Sequence, residues 1–234
     1  MEIEIWSDFS CPFCYIGKMR LEKAVERYPK KLDILIKYKS FQLDPEAPKT
    51  TDKSIHEILA KKYNMTVERA KQMNQQLVDQ AKGVGLHFHM DTLQATNTFT
   101  AHRVTKFAHA EGKEEQFVNN MFQHYFTHSS NLSDPEILLQ VCKELSLDLE
   151  KVKQIIESSQ FEQDVLEDIE EAKNLGITGV PFFVFNQKYA ISGAQPVETF
   201  MQALERITEE ENSNQKDLTP NKKRSFCEGD QCKF

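Results

Sequence analysis

The stretch that decides the fold is Ser7-Asp8-Phe9-Ser10-Cys11-Pro12-Phe13-Cys14-Tyr15-Ile16-Gly17. It follows residues 2–7, in which charged and apolar side chains alternate as they do in a β-strand. From Cys11 onward, apolar residues recur at helical spacing until Pro29. Residues 32–43 are rich in apolar and β-branched side chains and predict a second strand. Together these segments predict a strand–helix–strand unit, the usual opening of an α/β fold.

Two cysteines in a Cys-x-x-Cys arrangement stand where the strand meets the helix. This spacing lets Cys11 and Cys14 close a tight disulfide ring, and the unpaired amides and positive dipole end of the helix favour a thiolate at Cys11. We expect Cys11 to be the exposed attacking thiol and Cys14, one turn into the helix, to be the resolving thiol. Pro12 and Phe13 lie between the thiols, and we expect them to tune the redox potential and contact substrate.

The alternative interpretation of this pair is half of a zinc site. A zinc site needs a second ligand pair in a loop-rich setting, whereas here a βαβ unit follows at once. Redox chemistry is therefore favoured, and we expect no metal. Two further histidine pairs, His124/His128 and His87/His89, have spacing that suits a metal, but no nearby carboxylate or cysteine completes either set.

Overall composition excludes several classes of function. The chain has 234 residues and a formal net charge of −7, so we expect no attraction to nucleic acid. It contains no run of 18 or more apolar residues, so we expect no membrane span. The first twenty residues lack the basic start and apolar run of a secretory signal. We therefore predict a cytoplasmic protein, and in that reducing compartment a cysteine pair is more often catalytic than structural.

Most of the middle of the chain carries helical periodicity. Predicted helices cover 54–63, 66–83, 97–110, 114–127, 149–158 and 161–175. Ser133-Asp134-Pro135-Glu136 has capping-box spacing and predicts a further helix with Ser133 as its cap. Strands return at 182–185 and 189–191, and a last helix runs from Pro196 to about Glu210.

A second motif, Gly179-Val180-Pro181-Phe182, directly precedes the returning strands. A proline at that place can hold a cis peptide bond beside the dithiol, and the Val180 backbone can then pair with an extended substrate chain. On its own this proline is more simply a strand-opening residue. Combined with the Cys11/Cys14 pair, the motif favours a part in catalysis for Pro181 and in substrate binding for Val180.

These motifs in this order resemble the DsbA family of the thioredoxin superfamily. The segment 7–17, the helical insertion and the motifs GVPFFVF and SGAQP are similar to its cytoplasmic FrnE-like branch, and Asn97-Thr98-Phe99-Thr100-Ala101-His102-Arg103 resembles the insertion motif of that branch. The resemblance covers residues 1–210. It implies an α/β, thioredoxin-like fold with a large all-helical insertion domain, and a cis peptide bond at Pro181.

The domain boundaries follow from this resemblance and from the periodicity. We predict a discontinuous thioredoxin-like domain from residues 1–44 and 176–211, a helical insertion domain over 45–175, and a flexible C-terminal tail over 212–234. Asn97 and His102 lie in the insertion motif and are candidates to line a substrate cleft. The simpler interpretation makes Asn97 a helix cap and His102 a half-buried structural histidine.

The same resemblance supplies the alternative function. Relatives of this branch include 2-hydroxychromene-2-carboxylate isomerases and kappa-class glutathione transferases, which carry a serine at the nucleophile position and use glutathione. This chain has Cys11 there and Cys14 besides, which favours a thiol–disulfide oxidoreductase or disulfide isomerase. We expect thiols or disulfides of proteins or small molecules as partners and no cofactor, with glutathione as a possible reductant. A holdase-like chaperone is the non-enzymatic alternative.

Three remaining residues complete the set of candidates. Cys227 and Cys232 form a Cys-x₄-Cys pair in the polar tail, and we hypothesise that they exchange disulfides with Cys11/Cys14. The alternatives are thiols without a function or a weak metal-binding dithiol. Asp8, three residues before Cys11, either tunes the thiol or caps the turn into the helix.

Overall fold

A four-stranded mixed sheet forms the centre of the fold. The structure, a computed structural model, describes residues 1–29 and 33–216. Its strands are β1 (Glu2–Ser7), β2 (Leu35–Ser40), β3 (Phe182–Phe185) and β4 (Tyr189–Ser192), in the order β2-β1-β3-β4. β1 pairs in parallel with β2, whereas the β1–β3 and β3–β4 pairs are antiparallel.

Helices surround the sheet and fill the connection between β2 and β3. They are α1 (Pro12–Arg27), α2 (Ile55–Lys62), α3 (Val67–Gly83), α4 (Phe99–Ala110), α5 (Glu114–Phe126), α6 (Pro135–Glu144), α7 (Leu149–Glu157), α8 (Glu162–Asn174) and α9 (Val197–Lys216). Every helix predicted from periodicity is present. The α/β class with a large helical insertion is therefore confirmed.

β1 is buried on both faces, although charged and apolar residues alternate along it. Ile3 and Ile5 point into the main core, and Trp6 packs on the opposite face. The Trp6 indole Nε1 donates a hydrogen bond to the Asp168 carbonyl oxygen of α8 at 3.0 Å, so the polar edge of the ring stays paired inside the core.

A buried carboxylate holds α8 against the rest of the protein. Asp168 accepts a hydrogen bond from the Ser40 backbone amide at 2.7 Å and one from the Lys106 ammonium group of α4. Lys39 lies 3.4 Å from the same carboxylate. A single buried acid thereby links α8 to β2 and α4, and its charge is balanced by two lysines.

The insertion packs onto α1 through aromatic rings. Tyr15 of α1 stacks on Phe122 of α5, with ring centroids 4.9 Å apart. Within the insertion, the buried guanidinium group of Arg103 donates to the carbonyl oxygens of Ser158 and Gln160 just beyond the end of α7. Arg103 also donates to the Ile155 carbonyl oxygen in the last turn of α7, so its side chain satisfies a carbonyl group that the helix end leaves unpaired.

Two sequence predictions are wrong in detail. The cap of α6 is Asp134, whose carboxylate accepts from the Glu136 amide at 3.0 Å, because the Ser133 hydroxyl instead donates to the Asn97 carbonyl at 2.8 Å. Helix α9 continues to Lys216, the last residue that the structure describes, and does not stop near residue 210. Residues 211–216 contain no glycine or proline, so nothing in this part of the sequence interrupts the helix. The proposed division at residues 45 and 175 stays a prediction.

The contact between α1 and β3 yields a testable prediction. A Cβ atom on Gly17 would lie 3.0 Å from the Pro181 Cγ and 3.2 Å from the Phe183 Cζ, so Gly17→Ala overpacks this contact. We expect a loss of about 1–2 kcal/mol in the free energy of unfolding, since overpacking exceeds the gain in helix propensity. Denaturant unfolding measures it.

Gly83→Ala is the matched control for this substitution. Gly83 also lies in a helix, and a Cβ atom there meets nothing within 4 Å. Its substitution should leave stability unchanged or raise it by up to about 1 kcal/mol. A Gly17→Ala protein as stable as Gly83→Ala would show that the contact tolerates a methyl group.

Candidate active site

The cysteine pair lies where β1 turns into α1. The Cys11 amide donates to the Asp8 carbonyl at 3.0 Å, and Cys11 is the N-cap residue of α1. The Cys14 amide donates back to the Cys11 carbonyl at 3.1 Å. Both thiols are free, and they are buried, with 3% and 2% of their surfaces exposed. The prediction that Cys11 is exposed is therefore wrong, because the Val180 segment packs against it.

The surroundings of the two thiols differ. Burial raises the pKa of Cys14 well above its ordinary value, and the adjacent Cys11 thiol raises it further. The Ser7 side chain and the Asp8 backbone lower the Cys14 pKa, but by less. Cys14 is thus held as the protonated thiol at neutral pH, which leaves Cys11 as the thiol able to attack first.

The loop before β3 adjoins the Cys11 thiol. The Val180–Pro181 peptide bond is cis, as expected from the sequence motif. The Cys11 Sγ donates a hydrogen bond to the Val180 carbonyl oxygen at 3.5 Å. The Pro181 carbonyl oxygen accepts from the Gly193 amide at 2.8 Å, which fixes this loop to the turn after β4.

Asp8 organises the cysteine loop from behind. Its carboxylate accepts from the Ser10 amide at 3.2 Å, the Ser10 hydroxyl at 2.9 Å and the Leu43 amide at 2.8 Å. Burial acts to raise the pKa of Asp8, but the His102 ring and the two amides outweigh it, so the net pKa is lowered. Asp8 therefore stays charged. It caps the turn into the helix, which is one of the two roles that the sequence suggested, and it joins that turn to the loop after β2.

Asn97 and His102 both lie behind the cysteine loop. The Asn97 side-chain amide donates to the carbonyl oxygens of Pro45 and Ala47 at 3.1 and 3.2 Å. His102 is 4% exposed, its Nε2 lies 3.7 Å from an Asp8 carboxylate oxygen, and its ring packs on Phe9. These contacts support the site from inside. Direct substrate binding by Asn97 or His102 stays a prediction.

A groove of about 370 Å³ opens beside Cys11. Pro12 and Phe13 line it, and α2 and α3 form its other wall. Contact of Pro12 and Phe13 with substrate stays a prediction. Sequence reasoning missed the residues of that wall, such as Met73 and Leu77, because their helical spacing is the same as that of core residues. Met73 is exposed and Leu77 is only half-buried, a property that periodicity does not reveal.

The structure also places the remaining candidate residues. Across residues 1–29 and 33–216, no three or more histidine, cysteine or acidic side chains are grouped so that they could hold a metal ion. His87 and His89 lie in an irregular segment. Cys142, a lone cysteine of α6, is fully buried. Cys227 and Cys232 lie outside the described residues.

None of the helices in the described part of the chain is long and apolar enough to cross a membrane.

Fold and site together define a thioredoxin-like protein with a dithiol at the start of its first helix. The profile of the DSBA-like thioredoxin domain matches residues 2–205. The chain belongs to this family, and the thioredoxin-like fold predicted from the sequence is confirmed.

Solved structures agree with this assignment. The chain is 34% identical to a probable DsbA oxidoreductase from Streptomyces coelicolor, with a TM-score of 0.82 over 94% of this chain and 92% of that one. A 2-hydroxychromene-2-carboxylate isomerase shares the fold at 17% identity, with a TM-score of 0.67 over 94% and 100% of the two chains. The cytosolic disulfide reductase DsbM from Pseudomonas aeruginosa, solved with GSH, shares it at 13% identity, with a TM-score of 0.58 over 89% and 100%.

The raised pKa values of Cys14 and Cys142 predict that these two thiols are alkylated slowly. With iodoacetamide at pH 7, we expect Cys11 in the reduced native protein to react at least about a hundredfold faster than Cys14 and Cys142. The reason is that burial raises the pKa of Cys142 to about 12 and that of Cys14 well above its ordinary value. Mass spectrometry of the modified peptides over time measures the three rates.

The denatured protein serves as the control for this measurement. In denaturant the three cysteines should react at similar rates, because the differences arise from the fold. Native Cys14 or Cys142 reacting as fast as Cys11 would contradict the assignment of the attacking thiol.

Proposed function

We propose that this protein is a thiol–disulfide oxidoreductase, or disulfide isomerase, that acts through Cys11 and Cys14. The observation that carries the proposal is that the two neighbouring thiols, Cys11 and Cys14, have different surroundings. Cys11 lines the groove and contacts the Val180 carbonyl, while Cys14 is held protonated behind it. Such a pair supports attack by one thiol and release by the other.

The reaction balances with the two cysteines alone. The Cys11 thiolate attacks a substrate disulfide; a Cys11–substrate S–S bond forms, the substrate S–S bond breaks, and the released sulfur takes up a proton. Cys14 then loses its proton and attacks the Cys11 sulfur, which releases the second substrate thiol and leaves the Cys11–Cys14 disulfide. Two electrons pass from the protein to the substrate. In the reverse direction the oxidised pair accepts two electrons from a substrate dithiol.

Substrate binding is proposed for the groups around the thiols. Pro12 and Phe13 border the groove and would contact the chain on one side of Cys11. The Val180 backbone would pair with an extended substrate, with Pro181 holding that segment beside the thiol. The partners proposed are therefore thiols and disulfides, of proteins or of small molecules.

We propose the cytoplasm as the compartment and glutathione as a possible reductant of the Cys11–Cys14 disulfide. DsbM, which shares the fold, is named as a cytosolic disulfide reductase and was solved with GSH. The fold shared with the isomerase leaves glutathione-dependent isomerisation as the alternative activity, and the Cys11/Cys14 pair argues against it.

The tail pair is proposed to exchange disulfides with Cys11/Cys14. The last turns of helix α9 lie near the start of β1, because the Glu211 carboxylate accepts from the Asn186 side chain, and the Asn186 backbone amide donates to the Glu2 carbonyl. Cys11 follows the other end of β1, about 20 Å away. Cys227 lies eleven positions beyond Lys216, and a chain of that length spans up to about 36–40 Å. The length of this segment therefore permits an encounter within one molecule.

A redox titration tests the proposed function. Wild type and Cys11→Ser are equilibrated in glutathione buffers of graded potential and read by alkylation and mass. We expect one two-electron transition between about −270 and −120 mV, the span of known dithiol oxidoreductases, and its loss in Cys11→Ser. A Cys227→Ser/Cys232→Ser variant should keep this transition but with a shifted midpoint or slower approach if the tail pair exchanges with it.

Each negative outcome has a distinct meaning. The absence of a reversible transition in wild type, together with a glutathione-requiring isomerisation, would replace the proposal with the isomerase alternative. Suppression of aggregation that persists in Cys11→Ser would support a holdase. A tail variant identical to wild type in midpoint and rate would remove the tail from the mechanism.

A further inference from the structure

A small cavity lies between the ends of β1 and β2 and the helices α4 and α5. Its volume is about 10 Å³, and all of its lining residues except Lys39 are buried. Most of the lining side chains are polar, and five of them carry a hydroxyl or imidazole group: Ser7, Tyr38, Ser40, His102 and Thr105. A polar cavity of this size has room for one water molecule.

Two residues of this cavity have buried polar atoms that lack a hydrogen-bond partner. The Tyr38 hydroxyl and the His102 Nε2 are shielded from solvent, and neither is hydrogen-bonded to any of the residues that the structure describes. Buried polar groups in proteins are nearly always paired, and a buried water commonly serves as the partner where no protein group does. The two atoms therefore mark the cavity as a site for a bound water.

The distance between His102 and Asp8 supports the same assignment. The His102 Nε2 lies 3.7 Å from the Asp8 Oδ1, although both side chains are buried. This distance is longer than a direct hydrogen bond, and polar groups at such a separation are often bridged by water. A water in the cavity would give the His102 Nε2 the partner that the protein does not supply.

Ser7 joins the cavity to the Cys14 thiol. Its side chain lines the cavity and is a hydrogen-bond partner of Cys14. Ser7 and Ser40 are register partners on β1 and β2, so their side chains lie on the same face of the sheet. A hydroxyl group can accept a proton from one neighbour while it donates its own proton to another. Ser7 can therefore pass a proton between Cys14 and a water in the cavity.

The charges around the cavity favour His102 as the group that receives a proton. The buried, charged Asp8 carboxylate lies beside the His102 ring and stabilises a positive charge on it. Lys39, the other basic residue of the lining, already donates to the Glu171 carboxylate at 2.8 Å. The Tyr38 hydroxyl keeps its proton, because burial raises its pKa well above the ordinary value.

We infer that this cavity holds one water molecule, and that Ser7, the water and His102 take up the Cys14 proton in the resolving step. The inference rests on the proposed function and adds a proton route to it. The base is supplied by α4, a helix of the insertion, and acts on the dithiol from behind the sheet end of the cysteine loop.

The protons and electrons of this step balance. As the Cys14 sulfur attacks the Cys11 sulfur, its proton passes to Ser7, the Ser7 proton passes to the water, and a water proton passes to the His102 Nε2. The Cys11–Cys14 bond forms, the Cys11–substrate bond breaks, and the substrate sulfur leaves with the electron pair. That sulfur takes up a proton from solvent, and His102 returns its proton to solvent before the next cycle. In the reverse direction the same route returns a proton to Cys14.

Stepwise release of a coloured thiol tests the inference. Full-length protein carrying Cys227→Ser/Cys232→Ser is reduced and mixed with an excess of dithionitrobenzoate, an aromatic disulfide whose released thiol is coloured. Attack by Cys11 releases the first coloured thiol, and resolution by Cys14 releases the second. Stopped-flow absorbance separates the two releases, because only the rate of the first depends on the concentration of the reagent.

Two substitutions remove groups of the proton route. Ser7→Ala lacks the hydroxyl, and His102→Gln keeps a polar side chain that cannot accept the proton. Each should slow the second release at least about tenfold and leave the first within about twofold of its rate in the unsubstituted protein, since a positioned proton acceptor typically contributes about 10²–10⁴-fold. His56→Gln is the matched control, because His56 is likewise a buried helical histidine but does not line the cavity, and it should change neither release.

The pH profile of the second release separates proton transfer from a structural effect. From about pH 7.5 to 9 its rate should change little while His102 is present to take the proton. In His102→Gln the rate should rise about tenfold per pH unit, because hydroxide then has to take the proton. A structural effect of the substitution would lower the rate at every pH and leave the slope unchanged.

A high-resolution crystal structure of the reduced protein locates the water directly. One ordered water should lie about 3 Å from the His102 Nε2 and from the Ser7 hydroxyl. A cavity without an ordered water would overturn the inference.

The kinetic outcomes distinguish the inference from the proposed function. The inference is overturned, and the proposed function stands, if Ser7→Ala or His102→Gln releases both thiols at the unsubstituted rates. The same conclusion follows if either substitution slows the two releases equally, or if the pH slope in His102→Gln does not change. If the protein shows no Cys11-dependent release at all, the proposed function fails and the inference fails with it.

Discussion

Close packing of α1 against the Val180–Pro181 segment is the contact on which the rest of the site depends. Gly17 permits it, because any larger residue would press on Pro181 and on Phe183 of β3. The same approach brings the Cys11 thiol to the Val180 carbonyl and closes it off from open solvent. The identity of one residue, a turn and a half into the helix, thus sets the distance between the nucleophile and the segment proposed to hold its substrate.

The helical insertion also helps to position the dithiol. Asp8 accepts hydrogen bonds from the cysteine loop and from the Leu43 amide. The Asn97 side chain donates hydrogen bonds to the segment that follows Leu43. His102 and Phe9 fill the space behind. The start of α4 and the loop after β2 are therefore positioned with the dithiol, so that the apolar wall of α2 and α3 faces Cys11. Residues of the cysteine loop and of the helical insertion together line the groove beside Cys11.

Much of this arrangement was predictable from local patterns. The alternation over residues 2–7 predicted β1, the helical spacing after Cys11 predicted α1, and the proline motif predicted the cis bond before β3. Each of these patterns depends only on neighbouring residues, and the structure contains all three features. The sequence motif predicted that the Val180–Pro181 segment lies beside the dithiol, but not that Cys11 is buried there, because the closeness of packing between two segments is not encoded in a local pattern. The cap of α6 was assigned to the wrong residue because Ser133 bonds Asn97 across the fold, a contact that capping-box spacing does not contain. The groove was missed because Met73 and Leu77 have the same periodicity as core residues.

The central claim is that Cys11 attacks and Cys14 resolves. The most direct test uses a Cys14→Ala protein in which Cys227 and Cys232 are serine, so that neither the proposed resolving thiol nor the tail pair can release an adduct. Incubated with a disulfide peptide, this protein should accumulate a stable one-to-one mixed disulfide that mass spectrometry maps to Cys11. The same protein with Cys14 restored should show none at equilibrium. A mixed disulfide on Cys142, or no adduct in the Cys14→Ala protein, would contradict the account.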